Sequence, residues 1–323
     1  MIPIGSYKLN TRVVMAPMSV CTDLATRLIA REHGAKFAFF EMIDAHSVFY
    51  HRKKTISMLK THPCDRPIAL QLLGSDADIM LKAAERVLSM AEIPLLDINA
   101  ACPARKVLKK RAGAYLLKDP EKLYTMIKKL VKAARVPVTV KIRTGYDVSS
   151  PEDIAGIAAG CAEAGASAIF VHGRTMRQMY SGEVDYDSIS AVKKAAGVPV
   201  FGSGNIFSSE DAKRMVELTG CDGVLVARGG LGNPWIFAEI ESVFSGGSPG
   251  KPASASVRAE ALKRHIAYID EHSDCRDSVK AGIMRRVALW YIKSFRNARR
   301  IREKISVVKD PQKMLEFISS IKP

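Results

Sequence analysis

The stretch VPVTVKIRTGYDVSSPEDIAGIAAGCAEAGASAIFVHG, residues 136–173, holds one full unit of the pattern that decides the fold. VPVTVKIR, from Val136, is an apolar run rich in β-branched residues and reads as a buried strand. SSPEDIA then places serine ahead of an apolar periodicity and Pro151 in a first helical turn, opening a helix over 151–164. ASAIFVHG, from Ala166, is the next strand. Strand, helix and strand in immediate succession imply parallel strands with the helix packed outside them.

Working outward, similar runs are VVMAP from Val13, FAFFEMID from Phe37, PIALQLL from Pro67, LLDINA from Leu95, VPVFGSG from Val198 and DGVLVAR from Asp222, which makes eight strand candidates. Helical patterns lie between them at 76–91, 119–134 and 208–218, the first opened by SDADIM. Eight strands apolar on both faces, each followed by a helix, predict a (β/α)8 TIM barrel; an open doubly wound sheet is the alternative. No GxGxxG follows the first strand, which argues against a dinucleotide-binding Rossmann domain. SGGSPGKPASAS, residues 245–256, reads as a linker. Beyond it Ile283, Val287, Trp290, Tyr291 and Phe295 form an apolar stripe among Arg285, Arg286, Lys293, Arg296, Arg299 and Arg300. The expected organisation is a catalytic barrel over 1–245, a linker over 246–256 and a small all-helical basic domain over 257–323.

The chain has 323 residues, 47% hydrophobic, with a formal charge of +16. Residues 251–323 hold 17 Lys or Arg against 8 Asp or Glu, so +9 of that charge sits in the last module. That module points to a polyanionic partner such as nucleic acid, the plainer alternative being a generally basic, highly soluble protein. No apolar run reaches the ~18 residues needed to span a bilayer, and MIPIGSYKLN lacks the character of a signal peptide. A cytoplasmic protein with no membrane partner, a monomer, is expected. The six cysteines are scattered with no CxxC or CxxH pair, which suggests free thiols and no metal.

In such a barrel the chemistry lies at the C-terminal ends of the strands. Those ends supply Ala16, Pro17 and Met18; Gln71; Asn99 and Cys102; Lys141 and Arg143; His172 and Arg174; Ser203, Gly204 and Asn205; and Ala227 and Arg228. GSGN and ARGG are Gly-rich turns able to face a phosphate, and Arg228 adds charge. Gln71 and Lys141 suit the polar edge of a ring, with the backbone at Pro17 and Met18 against its face, so flavin mononucleotide (FMN) fits the set. Each element alone has a plainer reading: a tight turn, a solvated lysine, a core methionine, a hydrogen-bonded structural histidine.

DINAACPARK, VKIRTGYD, HGRTMRQMYSG, GAYLLKDP and GNPWIF resemble the dihydrouridine synthases over essentially the whole chain. The resemblance implies a flavoenzyme that reduces uridines in tRNA: NADPH reduces FMN, a hydride passes to C6 of uracil, and a cysteine in the position of Cys102 protonates C5. It further implies that Gln71, Lys141, His172, Ser203 to Asn205 and Arg228 bind flavin and that Asn99 positions the uracil. Lys106, in the basic loop after Cys102, and Arg143, Arg174, Arg285, Arg286 and Lys293 are the expected RNA contacts. An ordinary thiol, with a pKa near ~8.5, is protonated at neutral pH and suited to that acid role.

The chain departs from the family pattern at four places. Ala100 and Ala101 replace Met-Gly before Cys102, GSGN replaces GNGD, APMSVCTD replaces APMAGVTD, and Val287 stands where a histidine is usual. These changes leave three alternatives: a synthase acting on another RNA such as rRNA, a reductase of free pyrimidines, or a non-catalytic RNA-binding relative.

Overall fold

A computed structural model, describing residues 1–321, shows a closed barrel of parallel strands. Its strands are β1 (Val13–Met15), β2 in two pieces (Ala38–Phe39 and Ile43–Asp44), β3 (Ile68–Leu73), β4 (Leu96–Asn99), β5 (Val138–Arg143), β6 (Ile169–His172), β7 (Val200–Ser203) and β8 (Gly223–Val226). Val224 pairs with Val13 to join β8 to β1, and Ala38 pairs with both Met15 and Ile68 to close the ring. FAFFEMID reads as one strand but is interrupted at Phe40–Met42. The break falls where Glu41 turns its carboxylate to the Val20 N–H of the neighbouring loop.

The helices begin where the sequence supplies caps. Asp76 accepts from the Asp78 and Ile79 N–H groups at Ala77–Met90, and Asp119 caps Pro120–Ala133. Ser150 caps Pro151–Glu163, while Ser208 and Asp211 form a reciprocal box at Ser209–Thr219. Each such cap contributes about 1 kcal/mol.

Strand alternation divides the residues into two layers. Outward positions such as Leu70, Ile98, Val140, Val171 and Val224 pack against the helices. Inward positions low in the barrel, among them Ala69, Leu95, Phe170, Phe201 and Leu225, form a separate apolar cluster. A hairpin of Ile2–Ile4 and Tyr7–Leu9, not anticipated from the sequence, adds Ile4 and Leu9 to that cluster. Gly5 at its turn lies against Pro137 and Ser167, so the hairpin plugs the N-terminal end of the barrel and leaves the other end open.

After the last barrel helix, Ile236–Phe244, the chain runs to α1 (Ala255–His272), α2 (Asp277–Tyr291), α3 (Ala298–Val307) and α4 (Pro311–Ser320). Ser254 caps α1, so the last two residues of the linker segment, 255 and 256, are helical. Positions 322 and 323 of the basic module lie outside the described residues. Leu262, Ile266, Met284, Val287, Ile305 and Met314 give these helices their own core. Among the described residues no helix is long and apolar enough to cross a membrane.

His265 of α1 joins this bundle to the barrel. Its Nε2 lies 3.2 Å from Thr26 Oγ1 on the barrel helix Leu24–Glu32, and its Nδ1 lies 3.1 Å from the Tyr291 hydroxyl. Because Thr26 donates its own proton to Asp23, Nε2 must carry the hydrogen and Nδ1 must accept. Burial pushes the His265 pKa down to about 4. The unfolded chain, with its histidine near ~6.5, therefore binds the proton first as pH falls. Stability present above that value is lost between it and the folded value, by about 3 kcal/mol in all. Urea unfolding of wild type and His265→Gln over this range should show the acid-side loss shrinking in the variant.

Candidate active site

The register of three neighbouring strands sets the site. Gln71 of β3 pairs with Asp97 of β4, which pairs with Thr139 of β5, and one step higher Asn99 pairs with Lys141. All five occupy inward positions above the apolar layer, where Arg143, His172 and Ser203 continue the ring. Gln71, Asn99, Lys141, Arg143, His172 and Ser203 line a cavity of about 490 Å³, and Asp97 and Thr139 are fully buried behind them. Cys102, Asn99, Arg143 and all eleven positions read as cofactor contacts, from Ala16 to Arg228, line it together.

The buried Asp97 carboxylate fixes the polarity of the network. Its Oδ1 accepts from the Thr139 hydroxyl at 2.7 Å and its Oδ2 from Gln71 Nε2 at 2.7 Å. An ionised carboxylate only accepts, so Gln71 must turn its oxygen away, toward Asn99 Nδ2 at 2.8 Å. Asn99 then has its oxygen free for the N–H groups of Ala101, at 3.0 Å, and Cys102, at 2.8 Å. A chain of amides thus carries the orientation set by Asp97 to the backbone of the cysteine. Burial raises Asp97 to about 6, opposed by the Thr139 and Gln71 hydrogen bonds and the Lys141 charge, which leaves it an anion at neutral pH.

Arg143 pins the same loop from the other side. Its Nε donates to the Ala101 carbonyl at 2.7 Å, while Nη1 donates to the Thr175 and Met179 carbonyls at 2.8 and 3.1 Å. Burial raises the Cys102 thiol pKa, and the Ala104 backbone with Arg143, Lys141 and Lys106 opposes it. The group is a protonated thiol at neutral pH, a proton donor beside the cavity. Lys141 is lowered to about 8, first by burial and then by Arg143, and keeps most of its charge at neutral pH. His172 is held well below its ordinary value by burial and by Lys141, Arg143, Arg174 and Arg228, so its ring is neutral. Its buried Nε2 has no partner among the described residues.

The far end of the cavity is built from the turns after β7 and β8. Gly204 and Asn205 have φ of +142° and +49°, and a Cβ on Gly229 would come 2.0 Å from the Ile206 carbonyl oxygen. The two turns therefore meet with no side chain between them. The Arg228 guanidinium stands over the exposed rings of Tyr180 and Phe207, 4.7 and 5.5 Å from their centroids. This corner offers a cation and closely approachable backbone, the chemistry that suits a phosphate.

Other expected contacts lie apart from the cavity. Arg174 is buried and donates from Nε and Nη2 to the Ser181 and Gly182 carbonyls, bracing the loop after β6, while its Nη1 has no partner among the described residues. Lys106 is exposed on the short helix Arg105–Leu108, and Lys293 is exposed beyond α2. Arg285 donates to the Val308 carbonyl inside the bundle. Arg286 reaches the barrel, where it donates to the Val20 carbonyl in the loop after β1.

The departures from the family pattern separate on backbone geometry. Ala101 is not among the positive-φ residues, so its Cβ is no obstacle. Asn205 is at positive φ, which asparagine tolerates. Val20, at φ +58°, is a β-branched residue where the family pattern has glycine. That conformation costs about 1–2 kcal/mol and is clasped by Glu41 at its N–H and Arg286 at its carbonyl. Asp97, Thr139 and Glu41 were missed in the sequence. The available signal for Asp97 was a charged residue inside an apolar strand, two positions before Asn99 and so on the same face.

The family described as dihydrouridine synthase (Dus) matches residues 14–322. The tRNA-dihydrouridine synthase B of Pasteurella multocida (strain Pm70) is 36% identical over 315 residues, covering 97% of this chain and 93% of the relative. That of Vibrio cholerae serotype O1 is 34% identical over 319 residues, covering 98% and 97%. Among solved structures, the old yellow enzyme from Trypanosoma cruzi superposes with a TM-score of 0.54 at 12% identity, covering 79% of this chain and 93% of that one. Morphinone reductase does so with 0.51 at 12%, covering 79% and 91%. At such identity the likeness is one of fold.

Replacing Asp97 with asparagine permits Gln71 to flip, and a flipped Gln71 would turn Asn99 so that its amide faces the two backbone N–H groups. Asp97→Asn should therefore loosen the Cys102 loop and raise the alkylation rate of Cys102 at least about tenfold, the order of one lost hydrogen bond. Peptide mass spectrometry after timed iodoacetamide treatment reads this directly, with buried Cys161 and Cys221 as internal standards.

Proposed function

The chain belongs to the dihydrouridine synthase family, and from that premise we propose that it reduces the C5–C6 double bond of uridines in tRNA, with FMN as cofactor and NADPH as reductant. The observation that carries this reading is the protonated Cys102 thiol, held by Asn99 and Arg143 at the edge of a cavity whose opposite end suits a phosphate.

The residues present fit a flavin mononucleotide. The partnerless Nε2 of neutral His172 and the Lys141 ammonium supply polar contacts for a ring edge, and Gln71 has one amide hydrogen beyond the one given to Asp97. The contact of Gly229 with Ile206, with Arg228 above Tyr180 and Phe207, supplies the phosphate corner. Ala16, Pro17 and Met18 form a further wall. The cavity lies within the ~300–1,000 Å³ common for cofactor sites.

The chemistry a bound flavin supplies is hydride transfer, with NADPH as source and uracil C6 as destination. The chain's own part is the second hydrogen. Cys102 holds a proton through neutral pH and delivers it to C5, leaving a thiolate that Lys141 and Arg143 stabilise by charge. Lys141, beside Asn99 in the register, also suits the oxygen of the reduced ring, where negative charge develops. C5 and C6 are inaccessible in a stacked helix, so the target base must be extruded into the cavity. The helices α1 to α4, with Arg286 at the mouth, hold the RNA during that extrusion. The free thiols suit a reducing, cytoplasmic setting, and the site is complete within one chain, consistent with a monomer.

The purified protein should carry a flavin band that bleaches under anaerobic NADPH and returns when unmodified tRNA is added; a colourless protein that takes up no FMN would overturn the reading. Cys102→Ala should keep the band and lose about 10²–10⁴-fold in turnover. Wild-type turnover should fall as pH rises through about 8, where Lys141 loses its charge.

A further inference from the structure

The net positive charge of the chain is confined to three places. Residues 45–64 carry Arg52, Lys53, Lys54 and Lys60 with no acidic residue. Residues 103–118 carry Arg105, Lys106, Lys109, Lys110, Arg111 and Lys118, again with none. With the +9 of residues 251–323, these segments leave the remainder of the chain, 22 Lys or Arg against 25 Asp or Glu, at −3. The barrel is otherwise slightly acidic, so ten cations on two segments are not a general basic character.

Both segments follow strand ends at the open mouth, after β2 and after β4. All ten cations are exposed. Lys60, Lys110 and Lys118 pair with Asp274, Asp44 and Asp147, while the other seven have no carboxylate partner among the described residues. The segments are anchored to each other and to the bundle. Lys110 Nζ reaches Asp44 Oδ2 at 3.1 Å, and Ser75 Oγ donates to the Lys110 carbonyl at 2.7 Å. Val107, Ala112 and Leu73 pack with Met42 and Cys102 beneath them. Lys60 pairs with Asp274 beyond α1, and the His62 ring lies 5.9 Å from that of His272. Tyr50, 57% exposed, is two residues before Arg52, its ring packed against those of His46 and Phe49 at 4.5 and 4.9 Å between centroids.

We propose that residues 45–64 and 103–118 form a continuous basic arc on the barrel, running from the helical bundle past the Cys102 loop, that grips the RNA backbone independently of the bundle. This inference rests on the reading of the chain as an enzyme acting on RNA. An extruded base needs its strand held on both sides, and the bundle alone holds one. The arc supplies the other side, with seven uncommitted cations for phosphates.

The test compares full-length wild type with the triple variant Arg52→Gln, Lys53→Gln, Lys54→Gln and with a control triple, Lys194→Gln, Lys213→Gln, Arg214→Gln, that removes the same charge from exposed helix positions elsewhere. Fluorescence anisotropy of unmodified tRNA is followed from about 50 to 200 mM salt. The arc variant should bind more weakly, and its slope of log K against log salt should fall by about 2–3, close to one per lost phosphate contact. The control should keep the wild-type slope. Equal behaviour of the two triples would overturn the arc while leaving the RNA reading intact. Absence of salt-dependent tRNA binding by wild type would overturn the RNA reading and the arc with it.

Discussion

An ionised carboxylate offers lone pairs and no hydrogen, and the site depends on that one-sidedness at Asp97. Two amides and two backbone N–H groups are arranged by it, because each amide has a donor end and an acceptor end and only one choice satisfies every neighbour. Burying an anion is costly, and burial indeed raises Asp97 to about 6. The cost is offset by two short, fully buried hydrogen bonds and by the nearby Lys141 ammonium. What the molecule gains is a defined orientation for a loop that has no regular secondary structure of its own.

The barrel makes this arrangement possible by sorting residues twice. Strand parity separates outward from inward, and height along the barrel separates the apolar layer of Phe170 and Phe201 from the polar His172 and Ser203 immediately above. The hairpin of Ile4 and Leu9 seals the lower end, and the cavity opens at the upper one. Charged groups consequently share a small enclosed volume, which is why burial leads the causes of the shifts at Lys141, His172 and Cys102 alike.

Much of this was legible in the sequence because strands and caps are local. Asp119 with Pro120, Ser150 with Pro151 and Ser208 with Asp211 announce helix starts through short-range hydrogen bonds. The strand-end residues lining the cavity follow once the barrel is granted. The rest depends on registry between distant segments. Nothing in LLDINA says that Asp97 will sit level with Gln71 and Thr139, and nothing near Arg174 says that its Nε and Nη2 will be taken up by the Ser181 and Gly182 carbonyls. The break in β2 depends on Glu41 meeting a loop from β1, and the hairpin on a fit to Pro137 and Ser167.

The clasp on Val20 ties one of the first loops of the chain to one of its last helices. Its backbone conformation is unfavourable alone and is supported by Arg286, some 266 positions later in the chain. Residues emerge from the ribosome in order, so the barrel can close and acquire its core while the β1 loop still lacks this partner. The catalytic mouth thus takes its final shape only after nearly all of the polypeptide has been made, and a chain truncated before α2 would hold a complete barrel with an unfinished rim.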